Sequence, residues 1–430
     1  MTAVVGILNK QAVAIAADSA VTIGGSNGRK IFNSANKIFT LSKYHPVGVM
    51  IYNSAAFLST PWETIIKIFR QQLQKTSYLT LKEYQEAFIS YLRAKSSFCD
   101  EQDQKSYFFN FAFASISSVV GEIFSAHTEL SNNATDENKA ALMIHVKVKI
   151  EEYIEQFSDS ANYCSDFIDY TFEEFEPFAE EGISEVIVQI FDAYTLIIDD
   201  DLKAKLKKLI FLYVKTKETF TSFTGIIFTG FGDLEIYPNL IPVNISLVIG
   251  TRIRYFVDEQ KVVKISNFNS GAISPFAQTD VIDTILTGID PNLDLTYREN
   301  FESSFTKYNA TLLREIGDNN NPLKALIEGL DINKIVSEYN SKNQETKRAL
   351  YIEPLMNAVS SLAKEDLAEM AESLIYLTYL KRRITFAEES VGGPVDVAII
   401  SKGDGFIWTK RKHYFNPELN KQFLHNYFNL

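Results

Sequence analysis

The hydrophobic pattern is clearest at the start of the chain, where two apolar runs flank a short polar segment. Residues 3–8 and 12–17 are apolar or small, and the polar segment 9–11 separates them. Two β-prone runs joined by a short polar loop predict a β-hairpin. Because both faces of each predicted strand are apolar, we expect the hairpin to be buried on both sides.

The register of this hairpin decides which side chains share a face. If Leu8 pairs with Ala12, Thr2 lies opposite Asp18, and directly opposed side chains project from the same face about 5 Å apart. A hydroxyl and a carboxylate would then face each other at the open end of the hairpin. A slip of one residue would send one of the two to the other face.

The rest of the chain alternates between strand-like and helix-like patterns. Strands are predicted at 47–52, 224–230, 234–237, 243–249, 255–257, 395–400 and 406–409. Helices are predicted at 81–96, 140–157, 201–215, 276–286 and 364–383. A further helix is predicted after Thr60, with Pro61 at its first position and Glu63 completing a capping box.

Composition narrows the classes of protein. The 430 residues are 46% hydrophobic and carry a net charge of −12, so a nucleic-acid partner is not expected. Cys99 and Cys164 are the only cysteines, which favours a reducing compartment. No secretory signal or long apolar run is evident, so we expect a cytoplasmic protein without a membrane segment. Five scattered histidines give a metal site no support, and no cofactor is expected.

Thr2 offers a specific chemistry. Removal of Met1 would make Thr2 the first residue, and an α-amino group with a pKa of roughly 7.7–8.0 can act as the base for the hydroxyl of the same residue. Lys37 would lower the pKa of that amine by repulsion, and Asp18 would hold the lysine ammonium. Taken singly, each of these residues is more often structural, because threonine is common at position 2 and such charges usually lie in turns or in solvent.

Segments 2–7, 12–22 and 36–41 resemble the start of proteasome β-subunits, a family of N-terminal-threonine hydrolases. Segment 391–405 is similar to the Gly-Gly, late strand and hairpin of the same family. The resemblance implies that Thr2 is the nucleophile and that Asp18 and Lys37 support it. It also implies an α+β fold, a four-layer αββα sandwich with helical insertions.

The same resemblance implies supporting residues at positions where this sequence departs from the family. Asn53 falls where the family usually has a glycine whose amide binds the oxyanion, and Glu388 falls near an acid that supports the N-terminal amine. A supporting serine falls on Ala272, so its neighbours Ser270 and Ser274 are the candidate replacements, and a second supporting serine falls on Val391. The implied organisation is a core at 1–98, 221–300 and 363–412, helical insertions at 99–220 and 301–362, and a tail at 413–430.

The resemblance also implies partners and leaves alternatives open. A peptide or an unfolded protein is the implied substrate, a homo-oligomer is the implied assembly, and an ATPase unfoldase is a possible partner. The departures at Asn53, Ala272 and Val391 are also what a catalytically inactive assembly subunit would show. A hydrolase of small amides would use the same nucleophile.

One acidic and aromatic segment, 172–181, lies outside these matches. It is interpreted either as a solvated loop or helix edge or as a docking surface for a basic partner.

Overall fold

A computed structural model describes residues 2–25, 28–94, 98–133, 135–218, 223–316, 331–385, 391–413 and 415–422, together with Lys324, Ile327, Gly329 and His425. The chain is a mixed α+β protein with antiparallel sheets, as predicted at the level of fold class. It divides into two compact units. The first comprises 1–35, 264–401 and 407–430, and the second comprises 36–263 and 402–406.

The described strands, in chain order, are β1 (Ala3–Asn9), β2 (Ala12–Ala17), β3 (Val21–Gly25), β4 (Gly28–Phe32), β5 (Ile38–Thr40), β6 (Val47–Asn53), β7 (Ala56–Phe57), β8 (Thr60–Pro61), β9 (Thr224–Gly230), β10 (Asn239–Ile249), β11 (Arg252–Val257), β12 (Val263–Lys264), β13 (Gly271–Ala277), β14 (Asp396–Ser401) and β15 (Gly405–Lys410). The described helices are α1 (Trp62–Leu73), α2 (Leu81–Ala94), α3 (Glu101–Ala126), α4 (Thr128–Asn132), α5 (Asp136–Gln156), α6 (Phe172–Ala193), α7 (Asp200–Lys215), α8 (Asp280–Thr287), α9 (Pro291–Ile316), α10 (Ile332–Lys347), α11 (Glu353–Ser361) and α12 (Lys364–Ile384). A π-helical turn, Arg348–Ile352, joins α10 to α11.

The first unit is built on a five-stranded antiparallel sheet in the order β13-β1-β2-β14-β15. One face of β1 and β2 packs against α11 and α12, where Val5 and Ala14 share a core with Leu367 and Ile375. Every residue of β2, and every residue of β1, is buried. The prediction of a central hairpin buried on both faces is therefore confirmed.

The predicted register of that hairpin is wrong by one residue. Leu8 pairs with Val13, so Ala3 rather than Thr2 lies opposite Asp18. The reason is the side chain of Asn9, whose Oδ1 accepts hydrogen bonds from the amides of Gln11 and Ala12 and closes the turn after two residues. The shorter turn shifts the whole pairing.

The second unit contains a sheet in the order β11-β10-β9-β6-β5, with β12 also paired to β10. Helices α1 and α2 cover one face of it. Trp62 packs on Phe88 and Phe88 packs on Phe228 of β9, with ring centroids 6.3 and 5.6 Å apart, respectively. These apolar contacts fix α1 and α2 on β9.

A bundle of α3, α5, α6 and α7 extends the second unit and packs on Leu247 and Ile249 of β10. Among the described residues, α3 is the one helix long and apolar enough to match a membrane span, although 44% of its most apolar window is buried inside the structure. A core helix passes the same test of length and composition. The charged residues of α3 lie at positions 101, 103, 105 and 122, and an asparagine and several serines interrupt the apolar residues between them, so the sequence contains no continuous apolar run there.

Two local predictions around prolines are wrong. Residues 271–277 form strand β13 instead of entering a helix, and α8 begins only at Asp280. Pro275 is tolerated because β13 lies at the edge of the sheet, where a missing N–H costs little. At α1, Thr60 does not cap the helix and instead donates to the carbonyl of Phe98, while Glu63 accepts from Asn36.

Other elements lie close to their predicted positions. The predicted helices at 140–157, 201–215 and 364–383 correspond to α5, α7 and α12, and the strand at 47–52 corresponds to β6. The strand predicted at 234–237 is absent, because Glu235 folds this segment into a turn by accepting from the amides of Gly232 and Leu81. The division into a core and insertions stays a prediction.

Candidate active site

Thr2 directly precedes β1 and belongs to the first unit. Its side chain is 4% exposed, and its carbonyl accepts a hydrogen bond of 3.1 Å from the amide of Gln278. The next amide, that of Ala3, donates to Oδ1 of Asp18 at 2.9 Å. The hydrogen bond from Gln278 to the Thr2 carbonyl and the one from Ala3 to Asp18 therefore hold the backbone at Thr2 in place.

Asp18 is the centre of this anchoring. Its carboxylate is 1% exposed and accepts from three backbone amides, those of Ala3, Ala20 and Gly392, at 2.9, 3.0 and 3.1 Å. A buried carboxylate is costly unless such donors compensate it. The structure therefore places Asp18 against the backbone amide of Ala3, the residue after Thr2, and the predicted direct opposition of the Thr2 and Asp18 side chains is not present.

The segment before β14 completes this arrangement. The amide of Ser19 donates to the carbonyl of Gly392 at 3.0 Å, and the hydroxyl of Ser19 donates to the carbonyl of Pro394. Gly393 has a φ of +76°, and a Cβ there would lie 2.8 Å from Cβ of Asn33. Only glycine adopts this conformation without strain and also clears that contact. The Gly-Gly pair thus positions a partner for Asp18, a role that the sequence did not reveal.

Lys37 and Asn53 lie together in the second unit. Lys37 is 4% exposed and directly precedes β5, and its carbonyl accepts from the amide of Ile51 at 2.9 Å. Asn53, two residues after Ile51, is the last residue of β6. It has a φ of 66° and an exposed side chain. Asparagine is one of the few residues that adopts this left-handed conformation readily, which suits a position where the resemblance expects glycine.

Ser270 is not brought to Thr2. The pairing of β13 with β1 runs from Gly271 opposite Asn9 to Ala277 opposite Ala3. Ser270 therefore lies at the far end of this strand pair, roughly 25 Å from Thr2 at about 3.3 Å per residue. The expectation that Ser270 replaces the supporting serine is wrong. Glu388 lies outside the described residues.

A network that the sequence did not reveal surrounds the strand end beside Thr2. Nε of Arg382 donates to Oε1 of Gln278 at 2.6 Å, and the guanidinium also pairs with Asp280. Lys381 bridges Asp280 and Asp290 at 3.0 and 2.9 Å. This ion pair lowers the pKa of Asp290 and raises that of Lys381. The C-terminal turn of α12 is thereby tied to the residue that holds the Thr2 carbonyl.

Comparison with solved structures finds two similar chains with the description Anbu. The Anbu (Gly-1) mutant from Hyphomicrobium sp. strain MC1 is 8% identical, with a TM-score of 0.29, over 100% of this chain and 98% of that chain. Anbu (ancestral beta-subunit) from Yersinia bercovieri is 9% identical, with a TM-score of 0.28, over 100% and 97%. No family model and no curated protein matches the chain. Similarity at TM-scores this low does not assign a function to this chain, so a functional assignment depends on its own residues.

Proposed function

We propose that this protein is a proteasome-like hydrolase that cleaves amide bonds with the hydroxyl of Thr2, after removal of Met1. The observation that supports the proposal most is the ordering of Thr2. Chain ends usually fray, whereas Thr2 is buried and both the carbonyl of Thr2 and the following amide are hydrogen-bonded. A nucleophile must be held in a fixed geometry to react efficiently.

The proposed reaction is acyl transfer to Thr2. Oγ1 attacks the carbonyl carbon of an amide, and the free α-amine takes the hydroxyl proton, directly or through one water molecule. The C–N bond then breaks, the leaving amine receives that proton, and an ester with Thr2 remains. Water adds to the ester and releases the carboxylic acid, which restores the hydroxyl of Thr2.

Three further residues have roles in this proposal. Asp18 fixes the backbone that follows the nucleophile, which is a positioning role. Lys37 supplies the positive charge that lowers the pKa of the amine, and the amide of Asn53 donates to the oxyanion. The roles of Lys37 and Asn53, the four-layer αββα arrangement and a peptide or unfolded-protein substrate all rest on the sequence resemblance.

A non-catalytic assembly subunit is the second candidate. The placement of Ser270 beyond the end of β13 that pairs with Asn9 favours it, because Ser270 lies too far from Thr2 to support it. The presence of alanine at 272 and valine at 391 adds to this argument. Retention of Thr2, Asp18 and Lys37 favours the hydrolase.

Hydrolysis assays on matched variants test the proposal. The wild type, Thr2→Ala, Thr2→Ser and the exposed-site control Thr311→Ala are compared on a panel of acyl-peptide aminocoumarins and short acyl amides. We expect Thr2→Ala to lower turnover by at least about a thousandfold, Thr2→Ser to retain part of it, and Thr311→Ala to match the wild type. Turnover that persists in Thr2→Ala would overturn the proposal. A preference for short acyl amides would instead identify a small-amide hydrolase.

A further inference from the structure

A cavity of about 310 Å³ lies between α3 and α6 in the second unit. Its lining residues come from one face of each helix: Lys105, Ser106, Phe108, Phe109, Phe178, Glu181, Gly182 and Glu185. We propose that this cavity binds a basic segment of a partner protein, with a cationic side chain seated between the phenylalanine rings and the two glutamates. This inference is independent of the proposed hydrolase activity.

Gly182 is the first observation that supports a binding role. Glycine in the interior of a helix is unfavourable relative to alanine, and Gly182 lies in the middle of α6. Packing does not require it, because a Cβ at this position would meet Phe108 at 3.6 Å, an ordinary contact distance. The missing side chain instead leaves the space between the two helices open.

The charge of α6 gives the class of ligand. The helix contains only acidic charged residues, namely Glu173, Glu174, Glu176, Glu180, Glu181, Glu185 and Asp192. Lys207 pairs with Glu180 and Arg252 with Glu174, but within the described parts of the chain no cation pairs with Glu181 or Glu185. Glu185 accepts a hydrogen bond of 3.1 Å from the neutral side-chain amide of Gln189, so the charges of both carboxylates are still available to a cation from outside.

The other side chains at the cavity are also compatible with a cationic ligand. The ammonium of Lys105 pairs with Glu101 at 3.1 Å, so the lysine's charge is balanced within α3. Phe109 and Phe178 are half-buried, and Phe113, 38% exposed, stacks on Phe109. Aromatic faces attract a guanidinium or ammonium group, and arginine suits such a position best because it also pairs with carboxylates. Phe178 and Glu181 of the acidic and aromatic segment 172–181 line this cavity, which favours the interpretation of that end of the segment as a docking surface.

Binding of a labelled peptide to the full chain tests the inference. The probe is a fluorescein-labelled ten-residue peptide of alternating arginine and leucine, and fluorescence anisotropy is measured at low ionic strength. We expect the affinity to fall at least tenfold in the double variant Glu181→Gln/Glu185→Gln and in Gly182→Leu, which fills the cavity. The double variant Glu173→Gln/Glu176→Gln removes the same charge from α6 outside the cavity, and its affinity should stay within twofold of the wild type.

Several results would overturn the inference. One is the absence of binding by the wild type, and another is an equal loss of affinity in the Glu173→Gln/Glu176→Gln control, which would indicate a diffuse charge effect. Equal binding of a glutamine-leucine or glutamate-leucine peptide would identify an apolar occupant instead. Circular dichroism checks folding, and if Gly182→Leu does not fold, the comparison of the two glutamine double variants decides.

Discussion

The amide of Ala3 donates a hydrogen bond of 2.9 Å to Oδ1 of Asp18, which ties the residue after Thr2 to the end of the neighbouring strand. The other oxygen of the same carboxylate holds Ala20 and Gly392. One buried side chain therefore joins the start of β1, the end of β2 and the segment before β14. The carboxylate that holds the backbone beside Thr2 is thus itself held by Gly392, 374 positions along the chain from Asp18.

Asp18→Asn should weaken this junction. The substituted amide can accept at one oxygen only, so at least one of the three buried backbone donors is left without an acceptor, at a cost of about 2–3 kcal/mol. In Asp18→Asn, the free energy of local opening measured by hydrogen exchange over residues 3–17 should be lower than in the wild type by that amount. Asp192→Asn, an exposed change on α6, should leave it unchanged within about 0.5 kcal/mol. Unaltered exchange in Asp18→Asn would contradict the anchoring role.

Gly393→Ala should destabilise the first unit. The φ of +76° and the 2.8 Å approach of a Cβ to Asn33 together predict a loss of roughly 1–3 kcal/mol. The control is Gly403→Ala, where a Cβ meets nothing within 4 Å. Thermal unfolding of the two variants should separate them by several degrees, and equal melting temperatures would show that the Gly393 conformation is not required.

Arg382→Gln tests whether α12 positions Thr2. Loss of the guanidinium removes the hydrogen bond from Arg382 to the side chain of Gln278, the residue whose backbone amide holds the Thr2 carbonyl. If the proposed hydrolase is correct, the rate of covalent labelling of Thr2 by a β-lactone should fall severalfold while the fold persists. Arg383→Gln, which removes an exposed contact with Tyr379, is the matched control. Equal labelling rates in the wild type, Arg382→Gln and Arg383→Gln would show that Arg382 does not position Thr2.

The bridge between Lys381 and Asp290 predicts a dependence on pH. Lys381 lowers the pKa of Asp290 below its usual 3.8, so the bridge stabilises the folded state above that pH and is lost as the pH falls through the depressed value. The difference in melting temperature between the wild type and Lys381→Met should be constant from pH 7 to 5 and should shrink below about pH 4. The exposed control Lys208→Met should show no such trend. A difference that grows on acidification would contradict the assignment.

Local pattern predicted much of the fold, because apolar periodicity reflects burial directly. The hairpin of β1 and β2 and the amphipathic helix α12 follow from it. The register did not, since it depends on how the Asn9 side chain closes a turn. Pro275 misled the prediction because the edge position of β13 is a property of the whole sheet.

The candidate site was predictable only in part. Thr2, Asp18 and Lys37 carry chemistry that a sequence displays, and the structure buries each of them. The link from Arg382 to Gln278 joins residues 104 positions apart and has no local signal. The cavity beside Gly182 likewise arises only when α3 and α6 pack together.

The most direct test of the central claim is the intact mass of the purified protein before and after treatment with an epoxyketone, which reacts with a hydroxyl and a free α-amine of one residue. We expect a mass that lacks Met1 and a single adduct, localised to Thr2 by fragmentation and absent in Thr2→Ala. A protein that retains Met1 and forms no adduct would contradict the hydrolase and favour the assembly subunit.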